Sequence, residues 1–130
     1  TAFQDPGTPI SPQALNPAKE LHFSWSIEYD DWHDYWFGNS IPPHIALDQT
    51  STLEYLLTGT DYWAIIPASV FSMFLRQEEL HVTSLLDPPP ARTCYAIYRK
   101  DQDVTPDSTL GLCLGELQTL VHENPWLEEL

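Results

Sequence analysis

The chain has 130 residues, and nineteen acidic residues against five lysines and arginines give it a formal net charge of −14 at pH 7. A chain of this length forms one domain at most. Its 42% share of hydrophobic residues is enough to bury a core, which excludes an intrinsically disordered chain. Five basic side chains cannot build a face that neutralises phosphates, so direct DNA binding by these residues is also excluded.

The two cysteines exclude a disulfide scaffold and a CxxC metal site. Cys94 and Cys113 lie in apolar segments without framework spacing, so we expect both thiols to be buried and inert. No uninterrupted apolar run approaches the roughly eighteen residues of a membrane span. The chain begins at Thr1 without an initiator methionine or a signal-like start, which indicates a piece of a larger protein.

The first elements in chain order are a lead-in, a strand and a helix. Prolines at positions 6, 9, 12 and 17 interrupt any period, which predicts an irregular lead-in over 1–20. Residues 21–27 alternate bulky apolar with small polar side chains and therefore predict a strand. A short aromatic helix is predicted over 30–37, ending at Gly38.

The strand and helix pattern then repeats twice. Residues 44–48 predict a second short strand, and Ser51 with Glu54 fits a capping box for a helix that ends near Gly59. Residues 62–66 predict a third strand, and a proline follows in the first turn of a helix over 68–76. This short alternation predicts parallel strands joined by right-handed crossovers.

The last third of the chain breaks this rhythm. Residues 80–86 and 93–98 predict two further strands on either side of a triple proline, and Thr105 is the expected cap of a final helix with Pro106 in its first turn. The predicted fold class is α/β, with a Rossmann-like, parallel-rich sheet flanked by helices. The predicted organisation is an irregular lead-in over 1–20, an α/β subdomain over 21–104, and a C-terminal helix and tail over 105–130.

Candidate binding residues follow from where such a sheet places ligands, in the crevice beyond the carboxyl ends of its parallel strands. Hydroxyl groups lie at the carboxyl end of the first predicted strand, at Ser24 and Ser26, and after the second, at Thr50 and Ser51. Together with backbone amides at helix starts, they can bind a carboxylate or a carbonyl group without any positive side chain. The alternative is that these side chains serve only as helix caps.

From about residue 8 to residue 122, the order of segments resembles the second half of the effector-binding domain of LysR-type transcriptional regulators. The segments that carry the resemblance are Ile10-Ser-Pro-Gln-Ala-Leu15, the strand at 21–27, Pro43-His-Ile-Ala-Leu-Asp48 with the hydroxyl-rich helix start after it, Leu57-Thr-Gly-Thr-Asp-Tyr-Trp-Ala-Ile-Ile-Pro67, the paired strands around 88–90, and Tyr95-Ala-Ile-Tyr-Arg-Lys100 before the Thr105-Pro106 helix. The chain departs from the family pattern at Asp61, Tyr62 and Trp63, where a second glycine and smaller residues are usual.

The resemblance implies a periplasmic-binding-protein-like lobe, part of a type 2 fold, that closes with a second lobe on a small-molecule effector. It implies that Ser24, Ser26 and Thr50 match cleft-facing hydroxyls and that Pro67 matches the end of the third strand. It further implies a cytoplasmic homo-oligomer that binds DNA only through a helix-turn-helix domain absent from this chain, and that needs neither a cofactor nor a membrane. Trp25, Trp63 and Tyr62 either flank the crevice or belong to the core.

Metal binding and catalysis find little support in the sequence. Asp30, His33 and Asp34 fall on one helical turn, but acids at a helix start are explained by the helix dipole, and His22, His44, His81 and His122 show no ligand spacing, so we predict no metal site. No catalytic motif is present, which predicts that the chain is not an enzyme. Two rival functions stay open: a lobe of a solute-binding protein, and a protein-interaction or dimerisation module.

Overall fold

A computed structural model describes residues 7–38 and 45–127. Among them the strands are β1 (Gly7–Ile10), β2 (Leu21–Phe23), β3 (Ile45–Leu47) and β4 (Thr83–Leu85), and the α-helices are α1 (Ile27–Phe37), α2 (Thr50–Leu57), α3 (Ala68–Phe71) and α4 (Thr109–Glu123). Short 3-10 helices occupy Pro12–Ala14, Pro17–Lys19 and Gln77–Glu79. The chain forms two compact units, Thr1–Arg92 and Thr93–Leu130. Every helix in the described ranges is too short or too polar to cross a bilayer.

The three predicted β segments lie side by side and run in the same direction. Strand β2 pairs in parallel with β3, with Leu21 opposite Ile45 and Phe23 opposite Leu47. On its other side, Leu21 donates its N–H to the carbonyl of Trp63 at 2.8 Å, next to a parallel bridge between Glu20 and Trp63. The α/β prediction with parallel strands and flanking helices is therefore confirmed, although the third predicted strand, 62–66, is reduced to this one bridge. His44, the predicted first residue of the second strand, lies outside the described residues.

A second pair of parallel strands corrects two predictions, the irregular lead-in over 1–20 and the strand over 93–98. Part of the predicted irregular lead-in forms β1, which pairs with β4. Residues 93–98, predicted as the strand beside β4, form no strand, and Tyr95 and Ile97 are 79% and 92% exposed. A strand needs both a partner and a face to bury, and here the lead-in supplies the partner to β4. The domain boundary predicted at residue 104 stays a prediction.

The core of the first unit joins strand β2 to helices α2 and α3. Its buried members are Leu21, Leu53, Phe71 and Phe74. Leu53 is fully buried at 0% exposure, and a carboxylate oxygen of Glu54 next to it accepts the backbone N–H of Arg76 at 2.7 Å. The core thus fixes α2 against the strand that carries the predicted site residues.

Two predicted helix caps are wrong, because a residue other than the predicted one occupies the N-cap position of each helix. The capping box of Ser51 and Glu54 does not form, since Gln49 is the N-cap residue of α2 and Glu54 bonds Arg76 instead. In the second unit, Thr105 bonds Asp103, and Ser108 caps α4 by accepting the N–H of Gly111 at 3.0 Å.

The second unit exposes side chains that the sequence predicts to be buried. Cys94 and Cys113 are both exposed free thiols, which corrects the prediction that they are buried. No residue of α4 is fully buried, and Leu112, Leu117 and Leu120 are 60%, 51% and 58% exposed. A helix of 15 residues with this apolar share has more surface than the unit itself can cover.

Candidate functional site

The carboxyl ends of the three parallel segments meet at one edge of the sheet. Because Phe23 is paired in register with Leu47, the chain leaves β2 and β3 at the same level. The third segment is held beside them by the indole of Trp25, which donates its Nε1–H to the carbonyl of Ile65 at 2.7 Å. We call this surface, formed by residues 24–26, 48–51 and 65–69, the carboxyl edge.

Ser24 and Ser26 lie at the carboxyl edge, and both contact helix α1. Ser26 is the N-cap residue of α1, and its Oγ accepts the N–H of Tyr29 at 3.1 Å. The hydroxyl of Ser24 donates to Oδ2 of Asp30 at 2.6 Å. The helix-cap alternative therefore holds for Ser26, whose own O–H is still able to donate to a ligand.

Thr50 and Ser51 are the first two residues of α2, and both side chains are exposed. Within the described residues, Gln49 forms no side-chain cap here, while Leu53 donates its N–H to the carbonyl of Gln49 at 3.2 Å. The first amides of α2 thus carry the partial positive charge of a helix N-terminus without a capping side chain. The free N–H groups in this part of the carboxyl edge can donate hydrogen bonds to oxygen atoms of a ligand.

Pro67 contributes backbone rather than a polar side chain. It is the N-cap residue of α3, and its carbonyl accepts the N–H groups of Val70 and Phe71, each at 3.0 Å. The predicted helix over 68–76 ends at Phe71, and the side-chain amide of Gln77 donates to the carbonyls of Phe71 and Ser72. Pro67 is half-buried at the end of the third segment.

Of the three aromatic residues that the sequence offers as flanking the crevice, Trp25 lies at the carboxyl edge, and Trp63 and Tyr62 lie at the amino end of the third segment. Trp25 packs against the core and stacks on Phe23 with 4.1 Å between the ring centroids. Trp63 donates its Nε1–H to the carbonyl of Asn16 at 2.8 Å, and Tyr62 is exposed at 37%. Both indole N–H groups are thus engaged in holding the fold.

A cluster of ionisable side chains that the sequence reasoning missed lies between helix α1 and the amino end of β2. Glu20 and His33 are buried at 3% and 6% exposure, and Oε1 of Glu20 is 2.7 Å from Nε2 of His33. The same oxygen is 3.4 Å from Nδ1 of His22. Only part of the signal lies in the sequence: residues 20 and 22 share one face of a strand, but the helical spacing of His33 points to Asp30 and Asp34 instead.

Burial and hydrogen bonding act in opposite directions on this cluster. Burial alone raises the pKa of Glu20, but hydrogen bonds from His22 and His33, together with their charges, outweigh it and hold the pKa below its ordinary value. Burial, followed by the charges of Glu20 and Asp30, raises the pKa of the neighbouring Tyr29 phenol. The cluster therefore holds a buried carboxylate beside a neutral phenol.

Comparison with known families decides what kind of protein this is. A family model described as the LysR substrate binding domain matches residues 2–110, which include every candidate residue of the carboxyl edge. The chain belongs to this family. The resemblance to LysR-type regulators is thereby confirmed, and a LysR substrate-binding domain is a regulatory ligand-binding domain rather than a catalytic one. No curated protein and no solved structure matches the chain.

Proposed function

We propose that the chain is the effector-sensing part of a LysR-type regulator and binds a small metabolite at the carboxyl edge. The observation that supports this most is the register of the parallel pair, with Phe23 opposite Leu47. That register brings Ser26 and the first residues of α2 to one side of the sheet. Ligands of open α/β sheets bind on that side.

The chemistry of the edge favours an oxygen-bearing group of the effector. The uncapped amides at the start of α2 and the exposed hydroxyls of Thr50 and Ser51 are hydrogen-bond donors. No Lys or Arg occurs in 24–26, 48–51 or 65–69. Backbone N–H groups at the helix N-terminus would therefore bind the oxygen in place of a positive side chain. A carboxylate or a carbonyl group is the part of the effector that this site would hold.

In the regulator, the unit that contains the carboxyl edge would act as one periplasmic-binding-protein-like lobe. An effector that binds better when two lobes are closed shifts the population toward the closed form by its differential affinity. That shift would change how an oligomer of the regulator binds DNA. The oligomer would contact DNA through a helix-turn-helix domain outside this chain, and it would act in the cytoplasm.

The proposal is tested by titrating the ¹⁵N-labelled chain with a panel of anionic, neutral and cationic metabolites, including acetate, succinate and putrescine. The expected result is that one class shifts the amide signals of Ser26, Thr50, Ser51 and Ala68. Thr50→Val, which removes one hydroxyl, should weaken binding about tenfold, or about 1.4 kcal/mol. Thr109→Val is the matched control, because Thr109 is also the exposed first residue of a helix. Shifts confined to other surfaces would contradict the proposal.

A further inference from the structure

Two elements of the first unit bring together three side chains with the chemistry of metal ligands. Residue 20 and strand β2 provide Glu20 and His22, and helix α1 provides His33. One ligand atom from each residue lies within 4.8 Å of the other two. The imidazole rings of His22 and His33 are 4.5 Å apart between centroids.

We propose that Glu20, His22 and His33 bind a divalent transition-metal ion, with zinc as the preferred ion. Two imidazole nitrogens and one carboxylate oxygen form a set of three protein ligands, which suits a zinc ion that keeps one position for water or another ligand. Hard cations such as Mg²⁺ prefer oxygen ligands throughout, and the two histidines select against them.

Two of the three distances between ligand atoms are close to those that zinc requires, and all three atoms lie within 4.8 Å of one another. Bonds of about 2.0 Å in a tetrahedral arrangement place neighbouring ligand atoms about 3.3 Å apart. Oε1 of Glu20 and Nδ1 of His22 are already 3.4 Å apart. Nε2 of His33 is 2.7 Å from the same oxygen, so this pair is about 0.6 Å closer than the tetrahedral distance.

A second carboxylate stands where it would orient one of the ligands. Nε2 of His22 is 3.9 Å from Oδ1 of Asp30, and within the described part of the chain this buried oxygen has no hydrogen-bond partner. With Nδ1 on the metal, the proton of His22 resides on Nε2 and points at that oxygen. Ligand histidines commonly donate their second N–H to a carboxylate in this way.

Charge favours a cation at this position. Glu20 places a carboxylate in the interior, where the imidazoles of His22 and His33 are its hydrogen-bond partners. Asp30 brings a second carboxylate close by, and the chain as a whole carries nineteen acidic residues against five lysines and arginines. A divalent ion would neutralise Glu20 and fasten α1 to β2.

The test is zinc binding by the full chain in a Cys94→Ser, Cys113→Ser background, since both exposed thiols would otherwise bind zinc themselves. Isothermal titration calorimetry with zinc chloride should show one equivalent bound, and Co²⁺ should give the intense visible absorption of a tetrahedral ion. His22→Ala and His33→Ala should each weaken zinc binding at least tenfold. His81→Ala is the control, because His81 is an exposed histidine of the same unit and should leave the affinity unchanged.

Asp30→Asn keeps the test valid if His33→Ala fails to fold, as judged by circular dichroism. Loss of a carboxylate that orients a ligand weakens metal binding about 10-fold to 100-fold, and this partly exposed position is expected to tolerate the amide. The proposal is overturned if the background protein binds no zinc, or if His22→Ala and Asp30→Asn bind it as tightly as the background does. Glu20 and His33 would then form only a buried hydrogen-bonded pair.

Discussion

Trp25 donates the N–H of its indole to the carbonyl oxygen of Ile65 at 2.7 Å. This hydrogen bond joins the end of the first parallel segment to the third one, which otherwise contacts β2 through a single bridge at Trp63. The carboxyl edge therefore depends on a side chain as much as on the backbone ladder.

Replacing Trp25 by Phe should loosen this connection. The substitution leaves the half-buried Ile65 carbonyl without its donor, which costs about 1 kcal/mol. Urea denaturation followed by circular dichroism measures the change. Trp36→Phe is the control, because it removes the same part of an indole ring without breaking a hydrogen bond: the indole nitrogen of Trp36 has no partner among the described residues. Equal losses in the two variants would contradict this role of Trp25.

Ser26→Ala should destabilise the first unit by about 1 kcal/mol, since it removes the N-cap of α1. Ser51→Ala should change the free energy of unfolding by less than about 0.5 kcal/mol, because Ser51 is exposed and caps nothing. Chemical denaturation of the two variants decides between this arrangement and the capping box that the sequence favours. A larger loss at Ser51 than at Ser26 would show that the capping box forms after all.

Leu53→Ala tests the core that fixes α2 beneath the carboxyl edge. Leu53 is fully buried, and truncation of such a leucine costs about 2–5 kcal/mol. Tyr55→Ala, on the same helix at 72% exposure, should cost far less. Thermal unfolding of both variants provides the measurement, and similar midpoints would mean that α2 does not pack as described.

Self-association is expected through helix α4. Leu117 and Leu120 are neighbours on the helix surface and are both more than half exposed, and a second copy of the chain would cover them. Sedimentation velocity should show association that rises with concentration and is lost in Leu117→Gln, Leu120→Gln. Gln118→Ala, an exposed polar site on the same helix, should leave association intact. A monomer at every concentration would refute this expectation.

The sequence predicts best what depends on local pattern. The alternation at 21–27 and the glycine that ends α1 predict a strand followed by a helix, and Gly38 indeed adopts a positive φ of 74°. The strand ends earlier than predicted, at Phe23, and the helix begins at Ile27 rather than at residue 30, because Ser26 caps it. The order of short strands and helices likewise predicts the parallel arrangement.

Apart from the cap of α4, where Thr105 bonds the nearby Asp103, the main failures involve partners that are distant along the chain. Nothing local in residues 7–10 shows that β4 will pair with them, and the capping box fails because Glu54 meets the backbone of Arg76. His33 meets Glu20 only because α1 folds back over β2, and spacing alone does not reveal this contact. The five residues predicted to bind the effector remain predictions, although their shared edge follows from the strand register.

The central claim is that an effector binds at the carboxyl edge of the parallel segments, and intermolecular nuclear Overhauser effects test it most directly. The compound from the metabolite panel that binds the chain most tightly serves as the probe. The account predicts contacts from its protons to the Thr50 methyl group, the Ser26 β-protons and the Pro67 ring. Contacts confined to helix α4, or to the opposite end of the strands near Lys19, would contradict it.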